Sequence, residues 1–446
     1  MNKNVKLDKI EKSAVAKIHS FSHDGRGIAT INNKTTFIPE ALPDETVSLQ
    51  ITKHHRHYDE AMLLSIIESS SHRTAPPCQH FGVCGGCSLQ HMDIESQIIF
   101  KQQTVIDQLN KLGHVTPAAI LNPLHANSIA YRHKARLGVK FVIKKNKVLV
   151  GFREKSSRYL ADLERCVVLH PKIGENLNAL RDLIASLHAY QHIPQIEVAR
   201  GDEDTALVFR HLIPLNEEDQ MKLIEFGKKM QFHIYLQPNA PLPVSLLWPT
   251  DSTDKLSYTL PDFQLTFHFH PLDFTQVNLA MNRLMVKQAI TLLELKNNEK
   301  VLDLFCGIGN FTLPIARFAH HVVGIEGSQE MVLRAKDNAK INHIKNADFF
   351  TANLDEPDDN APWLKSHYDK LLLDPARVGA INILPALQRI QAKKIVYVSC
   401  NPATLARDAN EIVHQYGYKL SKIGIINMFP HTSHIEAMAV FDKDES

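Results

Sequence analysis

Asp303-Leu-Phe-Cys-Gly307-Ile-Gly309-Asn310 is the stretch whose reading decides the fold. The apolar run 301–305 reads as a buried strand and residues 311–320 as a helix. Glycines at such a turn bend the backbone sharply and let a ligand approach the main chain. Working outward, runs at 322–325, 349–352, 370–373, 394–398 and 423–427 read as further strands, with helical segments between most of them. This alternation predicts a doubly wound parallel sheet that binds its ligand at the strand C-terminal ends. Glu326 ends the second strand, where an acid accepts both hydroxyls of a ribose. A dinucleotide fold would place a third glycine for the pyrophosphate, but position 312 is Thr. The loop therefore suits a nucleoside without phosphates, and S-adenosylmethionine is such a ligand. Asn353 and Asp374 fall at the ends of the next two strands.

Val398-Ser-Cys400-Asn-Pro402 puts a cysteine at the end of another buried strand. Asn401 suits the cap of the following helix and Pro402 its first turn. The helix N-terminus is expected to lower the thiol pKa and favour the thiolate. Carbon 5 of uracil is a poor nucleophile, which gives a methyltransferase a use for a thiolate. Addition of sulfur at C6 makes C5 an enolate carbon that attacks a methyl sulfonium. A base must then remove the C5 proton before the thiol is eliminated. Phe429-Pro-His431-Thr-Ser-His434-Ile-Glu436 offers Glu436 as that base. His431 and His434 are alternatives better suited to holding the loop or contacting substrate.

A chain of 446 residues is long enough for about two to four domains. Short alternating strands at 14–18, 27–31, 35–38 and 46–52 predict a small closed barrel. Its Gly25-Arg-Gly-Ile-Ala29 turn and Phe37-Ile-Pro39 resemble a TRAM domain, an OB-like RNA-binding barrel. Residues 71–95 read as irregular and 94–112 as helical. Strands at 135–142, 147–152, 195–198 and 206–209, with helices at 173–188 and 217–229, predict a central antiparallel α/β region. The Pro-rich stretch 237–249 reads as a loop. The expected division is a barrel at 1–70, a central domain at 71–270 and a catalytic domain at 271–446. The polar, lysine-rich start 1–13 argues against a secretory signal, and no stretch is apolar enough to span a bilayer. A soluble cytoplasmic protein is expected.

Net charge is +2 but unevenly spread. Residues 71–170 hold fourteen basic and six acidic side chains, and ten of the basic ones lie between Arg132 and Arg158. Such a run fits a phosphate-binding face. Six cysteines in a cytosolic chain argue against structural disulfides. Cys78, Cys84 and Cys87, with distant Cys166, give four thiolate ligands for zinc or an iron–sulfur cluster, and spacing alone leaves both open.

Taken together, Asp303…Asn310, Asp374-Pro-Ala-Arg377, Ser399-Cys-Asn-Pro402 and Phe429-Pro-His431…Glu436 resemble the RNA uracil-C5 methyltransferases over nearly the whole chain. The resemblance implies a multidomain α/β protein with a class I (Rossmann-like) methyltransferase sheet at its C-terminus. It implies Cys400 as nucleophile and Glu436 as base. It also implies Gln276, Phe305, Asn310, Glu326, Asn353 and Asp374 as cofactor or active-site contacts, Gln276 lying in Phe274-Thr-Gln-Val-Asn278. The segment Cys78-Gln-His-Phe-Gly-Val-Cys84-Gly-Gly-Cys87 with Arg165-Cys166 resembles the RumA type, which acts on large-subunit rRNA. That type carries a [4Fe–4S] cluster and an N-terminal TRAM barrel. The implied partner is 23S rRNA, with a uracil in another rRNA or tRNA as the alternative. The implied cluster is structural, since methyl transfer moves no electron. No protein partner is implied and a monomer is expected. A cytosine-C5 DNA methyltransferase would have its cysteine after proline and no TRAM barrel. A zinc-dependent RNA-binding module would have no reason to combine Cys400 with Glu436.

Overall fold

A computed structural model describes residues 13–239, 243–251 and 255–443. The polar start up to residue 12 and residues 240–242 of the predicted loop lie outside the described residues. The chain divides into two compact units, Met1–Ile99 with His431–Ser433, and Phe100–Pro430 with His434–Ser446.

The first unit is built on strands β1 (Ala14–Lys17), β2 (Ser20–Phe21), β3 (Arg26–Ile31), β4 (Lys34–Pro39), β5 (Thr46–His54) and β6 (Tyr58–Glu68). They form one sheet in the order β1-β5-β6-β4-β3-β2. Alternate residues point inward, so Ile18, Ala29, Ile38, Val47, Leu49 and Ala61 meet in a small core. Gly27 is required there, because a side chain would meet the Ala41 carbonyl oxygen at 2.7 Å. The 11-residue β6 was not expected from the sequence, since it leaves Met62, Leu64 and Ile67 exposed and lacks a clean alternation. The Cys-rich segment is irregular, with isolated bridges such as that between Arg73 and Met92.

Helix α1 (Ile94–Lys111) follows, then β7 (Ala119–Ile120), β8 (Lys134–Val142) and β9 (Lys147–Gly151). The helix expected at 173–188 is two helices, α2 (Pro171–Gly174) and α3 (Leu177–Ser186). Next come β10 (Gln195–Arg200), β11 (Thr205–His211), α4 (Glu217–Met230), β12 (His233–Pro238) and β13 (Ser245–Trp248). These strands make a sheet ordered β13-β12-β11-β10-β8-β9. It is antiparallel except where β11 and β12 run parallel. The stretch 237–249, expected as a loop, therefore contains an edge strand that pairs with β12. A hairpin of β14 (Leu256–Leu260) and β15 (Leu265–Phe269) then packs Leu256, Tyr258, Phe267 and Phe269 into the main core.

The C-terminal part runs α5 (Leu279–Leu293), β16 (Lys300–Leu304), α6 (Thr312–Ala316), β17 (His321–Glu326), α7 (Gln329–Ile341), β18 (Ala347–Thr351) and β19 (Lys370–Leu373). It ends with α8 (Leu387–Ile390), β20 (Lys394–Ser399), α9 (Pro402–His414), β21 (Tyr418–Ile426) and β22 (Glu436–Lys443). The sheet order is β18-β17-β16-β19-β20-β22-β21-β7. Strands β16 to β20 are parallel, as expected. The expectation of a wholly parallel sheet is corrected at β22, which runs antiparallel to both β20 and β21. Residues 437–441 are buried on both faces, so no period-two alternation marked a strand in the sequence. The alternation of helices and strands leaves the C-terminal ends of the parallel strands along one edge, where the site is built. Among the described residues, no helix is long and apolar enough to cross a membrane.

Candidate active site

The glycine loop leaves β16 through three residues with positive φ: Phe305 (68°), Gly307 (55°) and Gly309 (89°). A phenylalanine in the left-handed region is strained, and such strain persists only where neighbours fix it. The N–H groups of Phe305 and Cys306 donate to the Ile325 carbonyl at 2.8 and 3.0 Å. Glu326, at the end of β17, accepts from the N–H of Gly307 at 3.1 Å and from that of Ser328 at 3.0 Å. The acid predicted to hold a ribose thus also fixes the loop beside it. Thr312, in place of a third glycine, donates its hydroxyl to buried Asp303 at 2.5 Å. The other Asp303 oxygen has no hydrogen-bond partner among the described residues.

Asn310 is held from two sides. Its amide oxygen accepts from Tyr258 at 2.9 Å and from Asn282 at 3.0 Å, and its amide nitrogen donates to Asn282 at 2.9 Å. Tyr258 and Asn282 were not singled out in the sequence. Asn282 lies one turn after Asn278 on the buried face of α5, and a polar residue there is the signal that could have found it. Two predicted contacts stand outside this network. Gln276 is half-buried ahead of α5, and exposed Asn353 accepts the N–H of Asp355 at 3.1 Å.

The antiparallel register pairs Ser399 with Ala437 and so sets Cys400, one residue beyond the end of β20, beside Glu436, the first residue of β22. Cys400 is half-buried and Glu436 is buried, with one carboxylate oxygen lacking a partner among the described residues. Asp374, at the end of β19, donates its N–H to the Leu304 carbonyl at 3.3 Å. Burial pushes Glu436 up to about 8, and Asp374 adds to the shift. Burial alone pushes Asp374 up to about 7. Asp303 rises to about 8 through burial, with Asp374 and Glu326 adding. The expected lowering of the Cys400 pKa is corrected. Burial raises it, Glu436 and Asp374 raise it further, and only Arg377 and a backbone hydrogen bond oppose them. The N-terminus of α9 does lie close by. Asn401 caps it by accepting from Ala403 at 3.1 Å and donates to the Arg377 carbonyl at 3.0 Å. Burial and two acids oppose the lowering expected from the helix end. Buried acids gathered at the strand ends suit a cationic ligand, which a sulfonium is.

The cysteines divide between the units. In the first, Cys78, Cys84 and Cys87 are half-buried, and the N–H of Gly86 points to the Cys84 sulfur at 3.4 Å. In the second, buried Cys166 donates its N–H to the Gly174 carbonyl at 2.9 Å. All are thiols. The donor chemistry suits a sulfur-ligated centre. Among the described residues, no group of three or more His, Cys, Asp or Glu side chains is gathered to hold a metal ion.

A carboxyl whose folded pKa is raised contributes stability below its unfolded value, and that stability is lost as pH rises through the folded pKa. For Glu436 the window runs from 4.5 to about 8. The ligand-free protein is therefore expected to melt at lower temperature at pH 8 than at pH 6. Glu436→Gln should narrow that difference by raising the midpoint at pH 8. Thermal unfolding at both pH values checks this, and an unchanged gap in the variant contradicts it.

Two family profiles match the chain: tRNA (Uracil-5-)-methyltransferase over residues 251–444 and the TRAM domain over residues 15–64. The 23S rRNA (uracil(1939)-C(5))-methyltransferase RlmD of Legionella pneumophila strain Lens is 49% identical over 432 residues, 97% of either chain. The protein of the same name from Hahella chejuensis is 48% identical, covering 97% of this chain and 98% of its own. Among solved structures, Pyrococcus abyssi tRNA (uracil-54, C5)-methyltransferase in complex with S-adenosyl-L-homocysteine aligns with a TM-score of 0.74. That alignment spans 96% of this chain and all of the other at 22% identity, a likeness of fold. With near-full-length identity of this order, a class I sheet and an N-terminal TRAM domain, the chain belongs to the RlmD (RumA) type of S-adenosylmethionine-dependent RNA uracil-C5 methyltransferases.

Proposed function

We propose that this protein methylates carbon 5 of uracil 1939 in 23S rRNA, with Cys400 as nucleophile and Glu436 as base. The substrate is that of the relatives 49% identical over 97% of the chain. The observation that carries the mechanism is the β20–β22 register, which sets a thiol beside a buried carboxyl. S-adenosylmethionine, when bound, supplies an electrophilic methyl group. Cys400, as the thiolate, adds its sulfur to C6. C5 takes the methyl group as the bond from methyl to the sulfonium sulfur breaks, and that bond's electron pair stays with the departing thioether. Glu436 takes the proton from C5, the C5–C6 double bond returns, and sulfur leaves with its electron pair. Asp374 keeps that proton on or near Glu436 by disfavouring a second negative charge. Glu326 and the Gly307–Asn310 loop hold the nucleoside, and Phe305, Gln276 and Asn353 line its path. A base stacked in a helix cannot offer C6 to a thiol, so the target uracil is flipped or lies in a loop.

Cys78, Cys84, Cys87 and Cys166 hold a [4Fe–4S] cluster that shapes the protein and takes no part in methyl transfer. The donor set, three cysteines within ten residues and a distant fourth, supports this. The working organisation is a TRAM barrel at 1–70, a cluster-bearing central domain at 71–270 and a catalytic domain at 271–446, in a cytoplasmic monomer. Protein purified without oxygen is expected to carry iron and acid-labile sulfide in equal amounts, lost in Cys87→Ser. Zinc in their place, or no metal, contradicts the cluster.

The mechanism is tested with an rRNA fragment carrying 5-fluorouridine at the target. Fluorine does not leave as a proton does, so a thiolate enzyme is trapped on its RNA. A shifted band on a denaturing gel with S-adenosylmethionine present, absent in Cys400→Ala, is the expected result. Methylation of ordinary RNA without any trapped band would assign transfer to a different atom.

A further inference from the structure

The ten basic residues from Arg132 to Arg158 do not form one surface. Lys147 pairs with Asp162 at 2.7 Å, Lys134 places its ammonium on the Asp273 carbonyl, and Arg132 donates to the Lys134 carbonyl at 3.0 Å. Strand β8 sorts the others. Ala135, Leu137 and Val139 are buried, which turns Arg136, Gly138 and Lys140 to the opposite face. Residues 152–160 fold back onto that outer face, where a side chain at Gly138 would meet Leu160 at 2.7 Å. The turn is well fixed. Arg153 bridges to Leu160, the Glu154 N–H donates to the Tyr159 carbonyl at 2.9 Å, and the Tyr159 N–H donates to the Ser157 hydroxyl at 3.1 Å. In this turn Tyr159 is 62% exposed, with the Arg158 guanidinium 5.5 Å from the ring centre. Arg153 and Lys140 are also exposed. The acids nearby in the chain are Glu154, half-buried, Asp162, held by Lys147 and Arg181, exposed Glu164, and Glu197, engaged by Arg136 at 2.6 Å.

A large ring held in water on a rigid turn, among cations that outnumber the acids, matches what unpaired RNA requires. Bases stack on the ring and phosphates meet the charges. We propose that Tyr159 is a stacking platform for a nucleobase of unpaired RNA, flanked by phosphate contacts to Lys140, Arg153 and Arg158. This is a contact additional to the target uracil at Cys400, and it rests on the reading of the chain as acting on 23S rRNA. Gly138 is the positioning residue that lets the turn seat on the sheet.

The test uses full-length protein and a 23S rRNA fragment containing the target. Tyr159→Ala is expected to raise KM for the fragment about tenfold while kcat stays within about twofold. Tyr159→Phe keeps the ring and should behave as the unaltered protein does. Because stacking carries no charge, Tyr159→Ala leaves the salt dependence of binding unchanged. Replacing Lys140, Arg153 and Arg158 together by Gln reduces its slope by about two. Tyr159→Trp provides a fluorophore that the fragment quenches and heparin, a polyanion without bases, does not. An unchanged KM in Tyr159→Ala, or equal quenching by heparin, overturns the proposal, the latter in favour of a surface for polyanions. Failure of the unaltered protein to methylate the fragment would instead overturn the substrate reading.

Discussion

One antiparallel strand determines the chemistry. Between β20 and β21, which run the same way, β22 is inserted in reverse, so that its first residue meets the end of β20. Glu436 and Cys400 are far apart in sequence and belong to separate motifs. The ladder from Lys394–Asp442 to Ser399–Ala437 brings them together, one rung beyond the last hydrogen-bonded pair. A slip of one residue in this register would turn Glu436 to the other face of the sheet. The buried apolar run that follows it, Ala437 to Phe441, anchors the register, since each residue has a place in the core.

The same geometry is electrostatically unfavourable without a ligand. Asp303, Asp374 and Glu436 are all pushed up from the ordinary carboxyl range, chiefly by burial. A protein selected for stability alone would not gather them at the ends of neighbouring strands. Their protonated carboxyl groups near neutral pH keep the empty site from accumulating charge, and a cationic ligand reverses the balance. The thiol follows the same rule. Burial first, and the charges of the acids beside it second, raise its pKa.

Much of this was legible in the sequence because the motifs sit at strand ends. Asp303–Asn310, Asp374–Arg377 and Ser399–Pro402 each follow an apolar run, and the five parallel strands fall close to the expected positions. Strands without a visible period were not legible. In β22 burial on both faces removes the alternation, and β6 leaves alternate apolar residues in water. The β14–β15 hairpin does alternate, with Leu256, Tyr258 and Leu260 inward, and it supplies the Tyr258 hydroxyl that holds Asn310. The pairing of Asn282 with Asn310 depends on two distant segments meeting, which local pattern does not encode. The thiol pKa went the other way from expectation for a similar reason. The helix end is local, whereas the two acids arrive from β19 and β22.

The central claim is that the β20–β22 register gives Cys400 and Glu436 successive parts in one reaction. It is tested most directly with Glu436→Gln, unmodified rRNA fragment and S-adenosylmethionine carrying a labelled methyl group. The amide preserves shape and hydrogen bonding but cannot take the C5 proton, so methylated RNA should remain bonded to Cys400. A labelled protein–RNA band that survives denaturation, and disappears when Cys400 is also replaced by Ala, is the predicted result. Free methylated RNA released at the normal rate by Glu436→Gln would contradict the account and assign proton removal to another group.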